Sequence, residues 1–178
     1  MTNIFVYSDP HFGHQATCTT FKKADGSDLR PWNVAQDMNE ALIENHNKVV
    51  GPKDKVYILG DLSMRKTHLH HLGRLNGDKV LIRGNHEMEN YKEYAKYFRD
   101  IRSYHQLDKC ILSHIPIHPQ SMYRWKVNVH GHLHSEEVLS EDGRPDKRYI
   151  CVSLEQPWMN FHPIAWEDLM KVVEARSS

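Results

Sequence analysis

Val56-Tyr57-Ile58-Leu59-Gly60-Asp61 sets a four-residue apolar run against a glycine and an aspartate. A run of this kind, closed by a turn residue, predicts a short buried strand ending in a tight bend. The same unit recurs on both sides of it. Ile4-Phe5-Val6-Tyr7 leads into Asp9-Pro10-His11, and Val80-Leu81-Ile82 leads into Gly84-Asn85-His86-Glu87. Further on, Cys110-Ile111-Leu112 leads into His114, and Val127-Asn128-Val129 into Gly131-His132-Leu133-His134. In open α/β sheets ligands collect at the carboxyl ends of strands. Five strands ending in Asp, Asn or His therefore predict polar groups converging on one sheet edge.

Between the strands, apolar residues recur at helical spacing. Met38, Leu42, Ile43 and Val49-Val50 predict a helix over 35–50, stopped by Gly51-Pro52. Short helices are predicted over 67–75 and 91–98, a strand over 149–152, and a closing helix over 164–175 with Trp166, Leu169, Met170 and Val173 on one face. Strand–helix alternation first and strands later predict an α/β (α+β) fold of two packed sheets with helices outside. Residues 12–33 hold no predicted element, and a loop of that length is usually functional or mobile. Lys22, Lys23, Arg30 and Trp32 within it are read as substrate contacts, with a core plug as the other reading of Trp32.

The 178 residues suit one domain, 1–178. Lys+Arg and Asp+Glu both total 23, so no basic surplus argues for strong nucleic-acid binding. No signal peptide is read at residues 1–8, and no apolar run is long enough to span a membrane. Three scattered cysteines fit reduced thiols in a cytoplasmic protein. The outlier is histidine, 14 residues, which makes metal binding worth testing.

In an extended Asp9-Pro10-His11 both functional side chains point the same way and can reach one ion. Asp61 follows a glycine that lets the backbone turn, and its two oxygens can bridge two cations. Asn85 offers a neutral oxygen. His132 and His134 flank Leu133, so both imidazoles can share a side while the leucine faces the core. Singly, a Gly-Asp or a strand-terminal Asn is more often a turn or a helix cap. Together, two aspartates, one asparagine and four histidines form a mixed N/O donor set that suits Mn, Fe, Ni or Zn. His68, His70 and His71 read as a solvated helix face, Glu87 as a helix cap before an orienting partner of His86, and His118, Arg124 and Trp125 as a wall of the cleft.

These blocks, in the order D-x-H, G-D, G-N-H-E, H and G-H-x-H, resemble the calcineurin-like metallophosphoesterase superfamily. SDPHFGH at 8–14, RPWNVAQDMNEALIENHN at 30–47 and YICVSLEQPWMNFHPI at 149–164 resemble its small single-domain bacterial and phage members. The resemblance implies a four-layer αββα sandwich of two mixed sheets. It implies two divalent transition metal ions, manganese favoured. One would be held by Asp9, His11, Asp61 and His134, the other by Asp61, Asn85, His114 and His132, with Asp61 shared. It also implies a phosphohydrolase, a phosphodiesterase before a phosphomonoesterase, protein phosphatase or nuclease, with a non-catalytic scaffold as the remaining reading. A hydroxide shared by the metals would attack phosphorus and His86 would act as general acid, with Asp61 and Asn85 completing the catalytic set. His14 and Arg124 would contact a phosphoester substrate, a small molecule or a short nucleotide. The substrate itself and the oligomeric state are left open.

Overall fold

The five apolar runs that precede polar residues all form strands. The structure, a computed structural model, describes residues 2–177, so the two end residues of the predicted 1–178 domain lie outside it. In chain order the strands among the described residues are β1 (Ile4–Tyr7), β2 (Lys55–Ile58), β3 (Asp78–Ile82), β4 (Asp100–Arg102), β5 (Tyr104–Leu107), β6 (Cys110–Ser113), β7 (Val127–His130), β8 (Tyr149–Cys151) and β9 (Ile164–Ala165). The helices are α1 (Ala16–Thr19), α2 (Ala35–Val49), α3 (Tyr91–Tyr94) and α4 (Trp166–Ser177), with 3₁₀ turns at Lys66–Arg74 and Pro119–Ser121. No helix among them is long and apolar enough to cross a membrane.

Two mixed sheets result. The first has the order β4-β3-β2-β1-β9, its first four strands parallel and β9 antiparallel to β1. The second has the order β5-β6-β7-β8, with β5 antiparallel on the edge and the rest parallel. This is the expected α/β sandwich of two mixed sheets with helices. One buried cluster takes Val6, Ile58, Leu112, Val129 and Ile150 from both sheets. Where β1 ends, Ser8 bridges to Ser153 beyond β8. The Ser8 N–H donates to the Val152 carbonyl at 2.9 Å. The two sheets are thus joined at the edge where their polar strand ends emerge.

The differences from the sequence reading have local causes. The short helix expected over 67–75 is a 3₁₀ helix over Lys66–Arg74. Leu69, Leu72 and Leu75 are all buried, and their spacing of three matches three residues per turn. His71 in that turn is buried against Asn39, 3.2 Å from its amide nitrogen, and is not on a solvated face. The closing helix starts at Trp166, because Ile164 and Ala165 pair with Val6 and Phe5 as a strand. Strands β4 and β5 went unpredicted because Asp100, Arg102, His105 and Gln106 break the apolar pattern. The long loop holds α1, and the Gln15 side-chain oxygen accepts from the Ala35 N–H at 2.8 Å, which caps α2.

Candidate metal centre

Tight backbone geometry at the strand ends brings the predicted ligands together. Gly60 has φ +87°, and a Cβ there would lie 2.5 Å from the Gly84 nitrogen, so the loops after β2 and β3 touch only because both residues are glycine. Eight non-glycine residues among those described take positive φ. Five of them are Asp9, His11, Asp61, His132 and His134. Left-handed backbone costs such residues roughly 1–3 kcal/mol each, and strain of this kind concentrates at functional sites. The expected extended Asp9-Pro10-His11 is therefore corrected: the two side chains converge through left-handed turns. Leu133 is half-buried and lies outside the core cluster, so it does not anchor the final motif as expected.

Six of the seven predicted ligands fall into two groups. Asp9, His11 and His134 form one and Asp61, His114 and His132 the other, each with potential ligand atoms within 4.8 Å of one another. Asp61 stands between them. Its Oδ2 lies 3.6 Å from His11 Nε2, and its Oδ1 lies 3.3 Å from His114 Nε2. Asn85, the seventh, has its amide oxygen 2.9 Å from His114 Nε2. His86 is half-buried with Nε2 3.7 Å from Asp61 Oδ2, and its N–H donates to Asp61 Oδ1 at 3.0 Å.

The donor set fits a cation on its own chemistry. Asp9 Oδ1 and both ring nitrogens of His11 are buried with no hydrogen-bond partner. Buried polar groups without partners cost free energy, and each such group calls for an explanation. The other Asp9 oxygen is engaged: Ser153 Oγ donates to it at 2.6 Å and the His132 N–H at 3.0 Å. His114 Nδ1 lies 2.6 Å from the Leu59 carbonyl, which turns Nε2 toward Asp61. Burial, reinforced by Arg30 and by neighbouring histidines, holds His11 well below its usual range, and burial also lowers His132. Neutral imidazole is the ligating form. His114 behaves differently: burial opposes its charge, yet hydrogen bonding to Asp61 and the field of Asp9 hold it up at about 9.

Three residues missing from the predicted set shape this centre. Glu87 is buried, and its carboxylate accepts the N–H groups of Gly84 at 2.5 Å, Leu62 at 2.8 Å and Asp61 at 3.0 Å. It ties two ligand loops together and does not cap a helix, which corrects the expectation. Burial pushes its carboxyl group up despite those donors. Arg30, expected as a substrate contact, is instead buried and paired with Glu155 at 2.6 Å. Arg30 and Glu155 are 125 residues apart, a separation no local pattern reveals.

Other predicted contacts lie further out. The His14 ring is 5.4 Å from that of His11. Trp125 joins His114, Tyr104, Tyr123 and Arg83 around a cleft of about 620 Å³. His118 lines a separate cavity of about 780 Å³. Arg124 is exposed, with its guanidinium 5.3 Å from the centre of the Tyr123 ring. Lys22 pairs with Asp28, and Trp32 packs edge-on against Phe161 at 4.8 Å.

Comparison with known proteins gives the chain a family. The uncharacterized protein MJ1445 of Methanocaldococcus jannaschii is 32% identical over 182 residues, covering 98% of this chain and 93% of that protein. The Gene 66 protein of Mycobacterium phage D29 is 30% identical, covering 99% of this chain and 95% of its own length. The chain belongs to the family of these two proteins. Among solved structures, the protein of unknown function AQ665 from Aquifex aeolicus shares the fold, with a TM-score of 0.67 at 23% identity over 97% of this chain and 100% of that one. No family model matches the chain.

Proposed function

We propose that this protein is a metal-dependent phosphoric ester hydrolase of the calcineurin-like metallophosphoesterase type, one domain over 1–178, acting first on phosphodiesters. The observation that carries the reading is Asp61, one oxygen toward His11 and the other toward His114, which links two groups of buried and half-buried donors. Asp9, His11, Asp61 and His134 would hold one divalent ion, and Asp61, Asn85, His114 and His132 the other. The mixed N/O set suits manganese, iron, nickel or zinc, and the resemblance to metallophosphoesterases puts manganese first. Such a pair, when bound, supplies Lewis acidity toward phosphoryl oxygens and acidifies water toward neutral pH.

The chain's own groups do the rest. Asn85 Oδ1 and His114 Nε2 lie 2.9 Å apart, which brings the loop after β3 and the end of β6 within reach of one ion. His86 follows Asn85 and is anchored through its N–H to Asp61, so its half-exposed ring can reach a substrate at the mouth of the centre. We assign it the proton that the departing ester oxygen requires, a role worth roughly 10²–10⁴-fold. His14, beside His11, is assigned to a phosphate oxygen of the substrate. The protein is tested with bis-p-nitrophenyl phosphate and p-nitrophenyl phosphate, each with manganese, nickel and zinc. The account expects metal-dependent release with the diester turned over faster. Faster monoester turnover transfers the assignment to phosphomonoesterase, and no turnover with any metal contradicts it.

A further inference from the structure

The buried pair Arg30–Glu155 reaches both ends of the first ligand group. Both side chains are fully buried. Arg30 Nε donates to Glu155 Oε1 at 2.7 Å. The same guanidinium donates through Nη2 to the Asp9 carbonyl at 2.5 Å and through Nη1 to the Pro10 carbonyl at 2.8 Å. These carbonyls belong to the left-handed turn that aims Asp9 and His11. Glu155 Oε1 also lies 3.2 Å from His134 Nδ1, a close approach without hydrogen-bond alignment. Gln156, next in sequence, donates its side-chain amide to the His134 carbonyl at 2.7 Å and the Glu136 carbonyl at 3.0 Å. Segments around residues 9, 30, 134 and 155 thus meet at one buried cation and one buried carboxylate.

Structure alone gives the pair little reason to exist, because a buried ion pair is often no more stabilising than apolar residues of the same volume. Its position gives it one. A metal-ligating histidine almost always presents its second nitrogen to a carboxylate, a carbonyl or a water, which fixes the ring and raises its basicity. We infer that Arg30 and Glu155 are positioning residues for the first cation site. Glu155 orients the His134 ring so that Nε2 is left for the ion, and Arg30 holds both Glu155 and the Asp9-Pro10-His11 turn in register. The inference rests on the proposed reading of Asp9, His11 and His134 as one site. It predicts an effect confined to that site, since neither Arg30 nor Glu155 contacts Asp61, Asn85, His114 or His132 through a hydrogen bond or ion pair among the described residues.

The test titrates metal-stripped protein with manganese and reads free ion by electron paramagnetic resonance. Wild type is expected to bind about two equivalents. Glu155→Gln keeps the shape and removes the charge, and it is expected to weaken one equivalent roughly 10–100-fold while the other stays within twofold. If that variant fails to fold by circular dichroism, Arg30→Met combined with Glu155→Gln, which leaves no unpaired buried charge, is read by the same criterion. Wild-type affinity for both equivalents in the folded variant overturns the inference, as does equal weakening of both. A wild type that binds no manganese instead overturns the reading of the site on which the inference rests.

Discussion

Asp61 and His86 carry the argument at the scale of single residues. Asp61 faces a histidine of each group, and His86 hangs from Asp61 by its backbone N–H. His86→Ala is expected to slow alkyl phosphodiesters roughly 10²–10⁴-fold, because an alkoxide needs a proton as it leaves. It should slow p-nitrophenyl esters far less, since p-nitrophenolate leaves readily. Parallel rate measurements on the two substrates check this, and equal slowing reassigns His86 to positioning. A second prediction concerns stability. His46 is buried against the Asn76 carbonyl at 2.9 Å, and burial lowers it to about 4. The unfolded chain therefore takes up a proton near pH 6.5 that the folded chain refuses until about pH 4. Stability from this residue is present above pH 6.5 and is lost as pH falls toward 4, on the order of 3 kcal/mol at the limit. Denaturant titrations of metal-stripped protein at pH 7 and pH 5 should show the loss. A His46→Gln variant should show a flatter dependence over that window, and an unchanged slope would contradict the assignment.

At the scale of elements, the short loops after the strands matter more than the strands. Glu87 draws the N–H groups of Asp61, Leu62 and Gly84 onto one carboxylate. Glu87→Ala leaves three donors, two of them buried, without a protein acceptor and is expected to destabilise the fold by roughly 2–4 kcal/mol. Chemical denaturation measures this, and a change under about 0.5 kcal/mol would mean water replaces the carboxylate freely. Gly131 is equally confined: a Cβ there would sit 1.9 Å from Ser8 Oγ and 2.6 Å from Asp9 Oδ2. Gly131→Ala should therefore displace Asp9 and weaken metal binding in a protein that still folds; calorimetric titration with unchanged affinity would show that the loop yields. The strands leading into these loops were readable because short apolar runs ended in glycine, Asp, Asn or His. Polar, partly exposed β4 and β5 left no such trace. The two-residue β9 was absorbed into the periodicity of α4, and the left-handed turns at Asp9 and His11 have no signature in Asp-Pro-His.

On the scale of the whole molecule, two sheets meet where Ser8 pairs with Ser153, and six of the seven predicted ligands gather into two groups. The order of the motifs along the chain made the ligand set legible. Arg30 and Glu155 stayed hidden because their meaning lies in a contact across 125 residues, between a loop with no predicted element and the stretch that follows the strand predicted over 149–152. The family shared with MJ1445 and the D29 Gene 66 protein runs the length of the chain, so the same tests apply to those relatives. The most direct measurement is anomalous X-ray diffraction at the manganese edge from crystals grown with manganese. The account predicts two peaks, one on each side of the Asp61 carboxylate, the first among Asp9, His11 and His134 and the second among Asn85, His114 and His132. No peak at these residues, or a single ion that leaves Asp61 without a metal, would contradict it.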